Sequence, residues 1–227
     1  MKLFLDTANL DEIRTIAQWG VLGGITTNPS LIFKEKPSDW ISHAKEICAI
    51  VEGPVSLETT STTTEELIEE GLELASVAPN AVVKIAMVPE GLGAVKALAD
   101  DGVKVNVTLI FSPSQAILAA EAGAYIASPF VGRLDDISSD GLNLLKDICE
   151  IYSVQGYETQ VLAASLRHPM HVVEAARMGS DIASMPFKVF EQLVHHPLTD
   201  TGLKAFMDDW ATLSKQMKTK PKRSKKK

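Results

Sequence analysis

The sequence predicts one (β/α)8 barrel of the TIM type with an extra C-terminal helix, and three observations carry the prediction. Short apolar runs alternate with amphipathic segments eight times, the runs starting 21 to 34 residues apart. The amphipathic segments open on capping residues and several close on glycine. Seven of the eight runs carry polar side chains of one parity near their C-terminal ends, where barrel sites are built. At 227 residues and 45% hydrophobic composition, the chain is large enough for one such core.

Taken in order, a strand at 2–6 precedes a helical segment at 10–19 that stops at Gly20. A strand at 23–27 leads to a helix at 38–51, for which Ser38 is the expected cap. A strand at 54–59 is followed by a helix at 63–77, opened by Thr62-Thr63-Thr64-Glu65-Glu66. Strand 81–87 leads to helix 91–100 and Gly102, and strand 104–110 to Ser112-Pro113, helix 114–122 and Gly123. Strand 125–130 precedes helix 141–154, and strand 159–165 precedes helix 169–178 with Gly179. The last unit pairs strand 182–186 with helix 187–195. After Pro197, residues 201–213 space Phe206, Trp210 and Leu213 along one face of the further helix. A doubly wound open sheet is the competing fold. It fits less well, because no glycine-rich dinucleotide fingerprint follows the first strand, and Gly91-Leu92-Gly93 lacks a third glycine.

The fourth strand, Ala81-Val82-Val83-Lys84-Ile85-Ala86-Met87, holds one lysine in an apolar run of the kind buried on both faces. Desolvation there favours the neutral amine, the form that attacks a carbonyl to make a Schiff base. The bland alternative is a lysine neutralised by a buried carboxylate.

Parity extends this to the other strands, because side chains alternate between barrel interior and helix layer. The face shared with Lys84 would carry Asp6 with Phe4, Thr26 and Asn28 with Gly24, and Glu58 with Ser56. It would also carry Thr108 with Asn106, Phe130 with Ser128, and Ser165 followed by Arg167. Packing alone prefers an apolar interior, so seven polar strand ends on one face point to a site.

Charge excludes other tasks. From 215 to 227 the chain has eight Lys or Arg and no acid, so the other 214 residues carry a net −15. The body at 1–214 is therefore acidic, which argues against nucleic acid as the main partner. The basic tail at 215–227 is expected to be disordered. No run of 18 apolar residues is present and the N-terminus is too short for a signal sequence, so the chain reads as cytoplasmic. Cys48 and Cys149 form no CxxC pair and read as reduced and buried. His168 and His171, with His195-His196, lack the spacing of a metal set.

Seven stretches also carry a resemblance. LDTAN at 5–9, GITTNPSLI at 24–32, VSLE at 55–58, VVKIAM around Lys84, NVTLIFSPSQA at 106–116, SPFVGR at 128–133 and AASLR at 163–167 are similar to the transaldolase family. The likeness covers about residues 2–213 and, by length, falls with the small transaldolases and their fructose-6-phosphate aldolase relatives.

The resemblance implies transfer of a dihydroxyacetone unit between sugar phosphates through a lysine Schiff base, with no metal and no cofactor. Lys84 would be the nucleophile and Asp6 the acid/base residue, while Glu58 and Thr108 would hold a catalytic water. Asn28 and Asn106 would bind the dihydroxyacetone hydroxyls, supported by Thr26, Ser128 and Ser165, with Phe130 on the wall. Arg133 and Arg167 would bind the phosphate. Each has a structural alternative: Asp6 as a partner of Lys84, Asn28 as a turn residue before Pro29, Arg167 as a solvated charge, and the hydroxyls as caps or core filler. In the aldolase branch Gln replaces Glu58 and Tyr replaces Phe130, so both positions resemble the transferase branch. The resemblance also implies a homo-oligomer, a ring-based decamer. A catalytically inactive sugar-phosphate-binding barrel is the non-enzyme alternative.

Overall fold

The structure, a computed structural model, describes residues 1–219. Eight strands close into one parallel barrel in chain order: β1 (Lys2–Asp6), β2 (Leu22–Thr26), β3 (Val55–Glu58), β4 (Ala81–Ala86), β5 (Val105–Ile110), β6 (Ile126–Pro129), β7 (Gln160–Ala163) and β8 (Ile182–Met185). β8 returns to pair with β1, Phe4 opposite Ser184. Each strand lies within two residues of its expected span.

The helices are α1 (Leu10–Ala17), α2 (Pro29–Glu35), α3 (Trp40–Ile50), α4 (Thr64–Ala75), α5 (Pro89–Asp100), α6 (Pro113–Glu121), α7 (Val131–Asp135), α8 (Gly141–Gln155), α9 (Pro169–Arg177), α10 (Phe187–Gln192) and α11 (Pro197–Thr219). Two of them, α2 and α7, were not expected. At seven and five residues they are too short to show a helical period. The cap of α3 is Asp39 rather than Ser38, its carboxylate accepting from Ile41 and Ser42 N–H. The other expected caps hold, Thr63 accepting from Glu66 N and Ser112 from Gln115 N.

Leu5, Ile25, Leu57, Val83, Ile85 and Val107 face the helix layer and are essentially inaccessible. Inside the barrel, Phe4, Ile126, Leu162 and Ile182 form an apolar plug with Phe130 and Ala164. The Phe4 ring lies over Gly24, where an added Cβ would come within 2.4 Å of the ring, so β2 needs a glycine at that step. Cys48 and Cys149 are free and buried, and burial pushes both thiols up to about 11.

The chain forms two compact units, Met1–Phe190 and a second from Glu191 onward that contains α11. The tail expected from residue 215 begins within α11, which runs on through Thr219. Lys215, Gln216 and Met217 are good helix formers. The rest of the basic tail lies outside the described residues. Along α11, Leu203, Phe206, Met207, Trp210, Leu213 and Met217 are all exposed. Among the described residues no helix is long and apolar enough to cross a membrane.

Candidate active site

A cavity of about 530 Å³ opens where the strands end, and a volume of that size suits a small ligand. It gathers Asp6, Thr26, Asn28, Glu58, Lys84, Thr108, Ser128, Phe130, Arg133, Ser165 and Arg167. Eleven of the twelve expected site residues therefore line one cavity.

The twelfth, Asn106, does not reach it. Asn106 is fully buried one layer down, accepting from Ser128 Oγ at 2.7 Å and donating to Ser56 Oγ at 3.1 Å. It shares Thr108's parity but stands two residues earlier, roughly 7 Å further into the barrel. It pairs in register with Lys84 on the neighbouring strand.

Lys84 is 5% exposed. Its Nζ donates to Thr27 O at 2.9 Å and lies 2.9 Å from Glu58 Oε2. The carboxylate envisaged as the bland alternative is present, part-buried, and it is Glu58 rather than Asp6. Asp6 instead accepts from Thr26 Oγ1 at 2.7 Å. Thr108 Oγ1 is the one buried side-chain polar atom, among the described residues, without a hydrogen-bond partner. Thr108 sits at a register break in β5, next to Leu109 at φ 60°, and both side chains face the cavity.

Arg133 and Arg167 give the same cavity a cationic rim. α2 begins at Pro29, with extended Asn28 capping it by accepting from Leu31 N rather than forming a turn, and Asn28 also lines the cavity. The Arg133 guanidinium stacks on the Phe130 ring, 4.8 Å from its centroid. Arg167 Nη2 donates to Asp136 Oδ2 at 2.6 Å while half exposed. Its backbone N–H donates to His171 Nδ1 at 3.3 Å, and His171 Nε2 lies 3.2 Å from Asp135. Burial holds the His171 pKa below its ordinary value, reinforced by His168 and opposed by Asp135. Gly132 makes room for this arrangement: a Cβ there would meet Ser165 O at 2.1 Å and Arg167 Nε at 2.6 Å.

Parity reasoning fails on strand seven. Leu162 and Ala164 face the interior, and Ser165 reaches the cavity only because its φ of 61° turns the chain. Sequence reasoning also missed three polar lining residues, Ser30, Lys34 and Ser184. Ser184 shares parity with Ile182, so strand alternation was the signal that could have found it.

A closed parallel barrel with a buried lysine paired to a glutamate, a second carboxylate and a cationic rim at its strand ends is an α/β-barrel enzyme site. The described family "Transaldolase/Fructose-6-phosphate aldolase" matches residues 3–218, and the chain belongs to it. A probable transaldolase of Moorella thermoacetica is 56% identical over 210 residues, 92% of this chain and 97% of that one. Probable transaldolases of Syntrophobacter fumaroxidans and Brevibacillus brevis are 54% identical, covering 95% of this chain and 99% and 100% of theirs. At the level of fold alone, the chain is similar to a thiamine phosphate pyrophosphorylase from Pyrococcus furiosus. That likeness has a TM-score of 0.60 and 15% identity, over 85% of this chain and 93% of the other.

Proposed function

We propose that the enzyme is a transaldolase that moves a dihydroxyacetone unit from a ketose phosphate to an aldose phosphate, in the cytoplasmic, non-oxidative pentose phosphate pathway. The donors would be sedoheptulose 7-phosphate or fructose 6-phosphate, and the acceptors glyceraldehyde 3-phosphate or erythrose 4-phosphate. The observation that carries the reading is Lys84, buried at the cavity wall with Glu58 as its partner. Glu58 takes a proton from Nζ, and the free amine attacks the ketose carbonyl. The iminium so formed draws in the electrons of the breaking C–C bond, while Asp6 takes the proton of the hydroxyl at that bond. Glu58 and Thr108 hold the water for the carbinolamine proton transfers, a role that suits the unpartnered Thr108 hydroxyl. Asn28 and Ser165 contact the substrate hydroxyls, and Arg133 and Arg167 its phosphate. No metal or cofactor enters this scheme.

Phe130 favours transfer over simple cleavage. Its ring borders the site without a proton-relaying group, so the bound carbanion waits for an aldehyde. Borohydride with fructose 6-phosphate should add a reduced three-carbon adduct to Lys84, measured by mass. Glyceraldehyde 3-phosphate release should need erythrose 4-phosphate, and Phe130→Tyr should weaken that need. Fast release by the wild type without acceptor would instead make it a fructose-6-phosphate aldolase, and no adduct at all would leave an inactive binding barrel. The exposed apolar stripe of α11 supports assembly with further copies, a decamer by resemblance, which sedimentation tests.

A further inference from the structure

Ser184 stands on β8, is 2% exposed, and lines the cavity without any role in the scheme above. Its Oγ lies 2.6 Å from Thr26 Oγ1, and Thr26 Oγ1 lies 2.7 Å from Asp6 Oδ1. Counting protons settles the direction of both bonds. Thr26 Oγ1 donates to Asp6 Oδ1, which uses its single hydroxyl proton. The proton between the two hydroxyls then comes from Ser184. The three side chains form a one-way chain in which Ser184 donates to Thr26 and Thr26 donates to Asp6.

The barrel register explains how the chain is assembled. β1 lies between β8 and β2, with Phe4 paired to Ser184 on one side and Asp6 paired to Thr26 on the other. The two hydroxyls therefore meet across the strand that carries Asp6. Thr26 is branched at Cβ and has few rotamers, so a bond on each side of its oxygen leaves the hydroxyl one orientation. A serine buried on the inner face costs free energy unless it is hydrogen-bonded, and Thr26 is its hydrogen-bond partner here. Successive hydroxyls also polarise one another, which strengthens the bond that reaches the carboxylate.

We propose that Ser184 is a positioning residue for Asp6, acting through Thr26. The proposal rests on the reading of Asp6 as the group that moves the substrate hydroxyl proton. The chain anchors Oδ1 and leaves Oδ2 toward the substrate. Oδ2 takes the proton during cleavage and returns it during transfer, while Ser184 and Thr26 keep their own protons throughout. Thr26 on this account serves Asp6 rather than the substrate.

The test compares Ser184→Thr with Ser184→Val, two side chains of one shape that differ by the hydroxyl. Ser184→Ala and Asp6→Asn accompany them. Transfer kcat and KM, thermal midpoint and borohydride-trapped adduct are measured for each. Ser184→Val and Ser184→Ala should lower kcat about tenfold, the upper size of one hydrogen bond between neutral groups. KM and adduct yield should stay within about twofold, since Lys84 chemistry does not pass through this chain. Ser184→Thr should recover most of the lost kcat. On a Thr26→Val background, Ser184→Ala should have no further effect, because the link is already cut. Equal kcat for the Thr and Val variants, or a full additional loss on the Thr26→Val background, overturns the proposal. Wild-type kcat in Asp6→Asn overturns the reading of Asp6 itself, an outcome distinct from the other two.

Discussion

Lys84, Glu58 and Asp6 stand on barrel strands at positions paired with their neighbours, Glu58 opposite Lys84 and Asp6 opposite Thr26, and their side chains are held by short bonds to neighbouring groups. Arg133 and Arg167 stand beyond the strand ends, one on the short helix α7 and the other two residues after a left-handed Ser165. Both side chains are exposed, Arg167 about half, one guanidinium stacked on a ring and the other paired with Asp136. The lysine side is rigid because strand geometry fixes it, and low exposure strengthens every charge there. The arginine side is held by backbone irregularities and exposed contacts, each worth little alone. Chemistry that tolerates little displacement sits on the first side, and recognition of a mobile charged group suits the second.

Breaking the lysine side should have the largest effect. Lys84→Met should lower kcat by more than about a thousandfold while the thermal midpoint stays near wild type, since the nucleophile is lost and the stem is kept. Covalent mass still added by borohydride and substrate would move the nucleophile elsewhere. On the arginine side the effect should be smaller and should fall on KM. Arg133→Ala or Arg167→Ala should raise KM for phosphorylated donors about ten- to a hundredfold, with free dihydroxyacetone handled as before. Equal losses with both donors would remove these residues from the phosphate site. Gly132→Ala probes the backbone beneath them. Its Cβ would run into Ser165 O, so a loss of about 1–3 kcal/mol in stability is expected, together with a severalfold rise in KM. Adduct formation at Lys84 should persist, and its loss would show that the two sides are mechanically one.

The same contrast decides what could be read from the sequence. Eight apolar runs revealed the strands, and alternation put Asp6, Thr26, Glu58, Lys84 and Thr108 on the inner face, because regular strands obey a period of two. Alternation reports a face and not a depth, which is why Asn106 looked equivalent to Thr108 although it lies a layer below. It also fails where φ turns positive, as at Ser165, since no residue type there announces the turn. α2 and α7 escaped notice because five to seven residues cannot establish a helical period, yet they carry Lys34 and Arg133 at the rim. Ser184 was legible by parity but stood beside Met185-Pro186, a strand end that reads as the start of a loop.

The smallest expected effect is a pH dependence on the arginine side. Neutral His171 accepts the Arg167 backbone N–H at Nδ1, so its proton is on Nε2, facing Asp135. His168 stacks on it, 3.8 Å between centroids, and Arg167 follows the same turn, so two neighbours oppose a positive charge there and Asp135 favours one. The folded pKa is below the ordinary 6.5, so the folded protein binds this proton less readily than the unfolded chain. The stabilisation is therefore fully present above pH 6.5 and is lost as the pH falls through the folded value. Acidification should lower the thermal midpoint and, by removing the acceptor for Arg167 N–H, raise KM for phosphorylated donors while adduct formation at Lys84 is spared. His171→Gln cannot titrate, so its midpoint should fall less over the same interval. Parallel curves for the two proteins would show that His171 does not set the acid response of the rim.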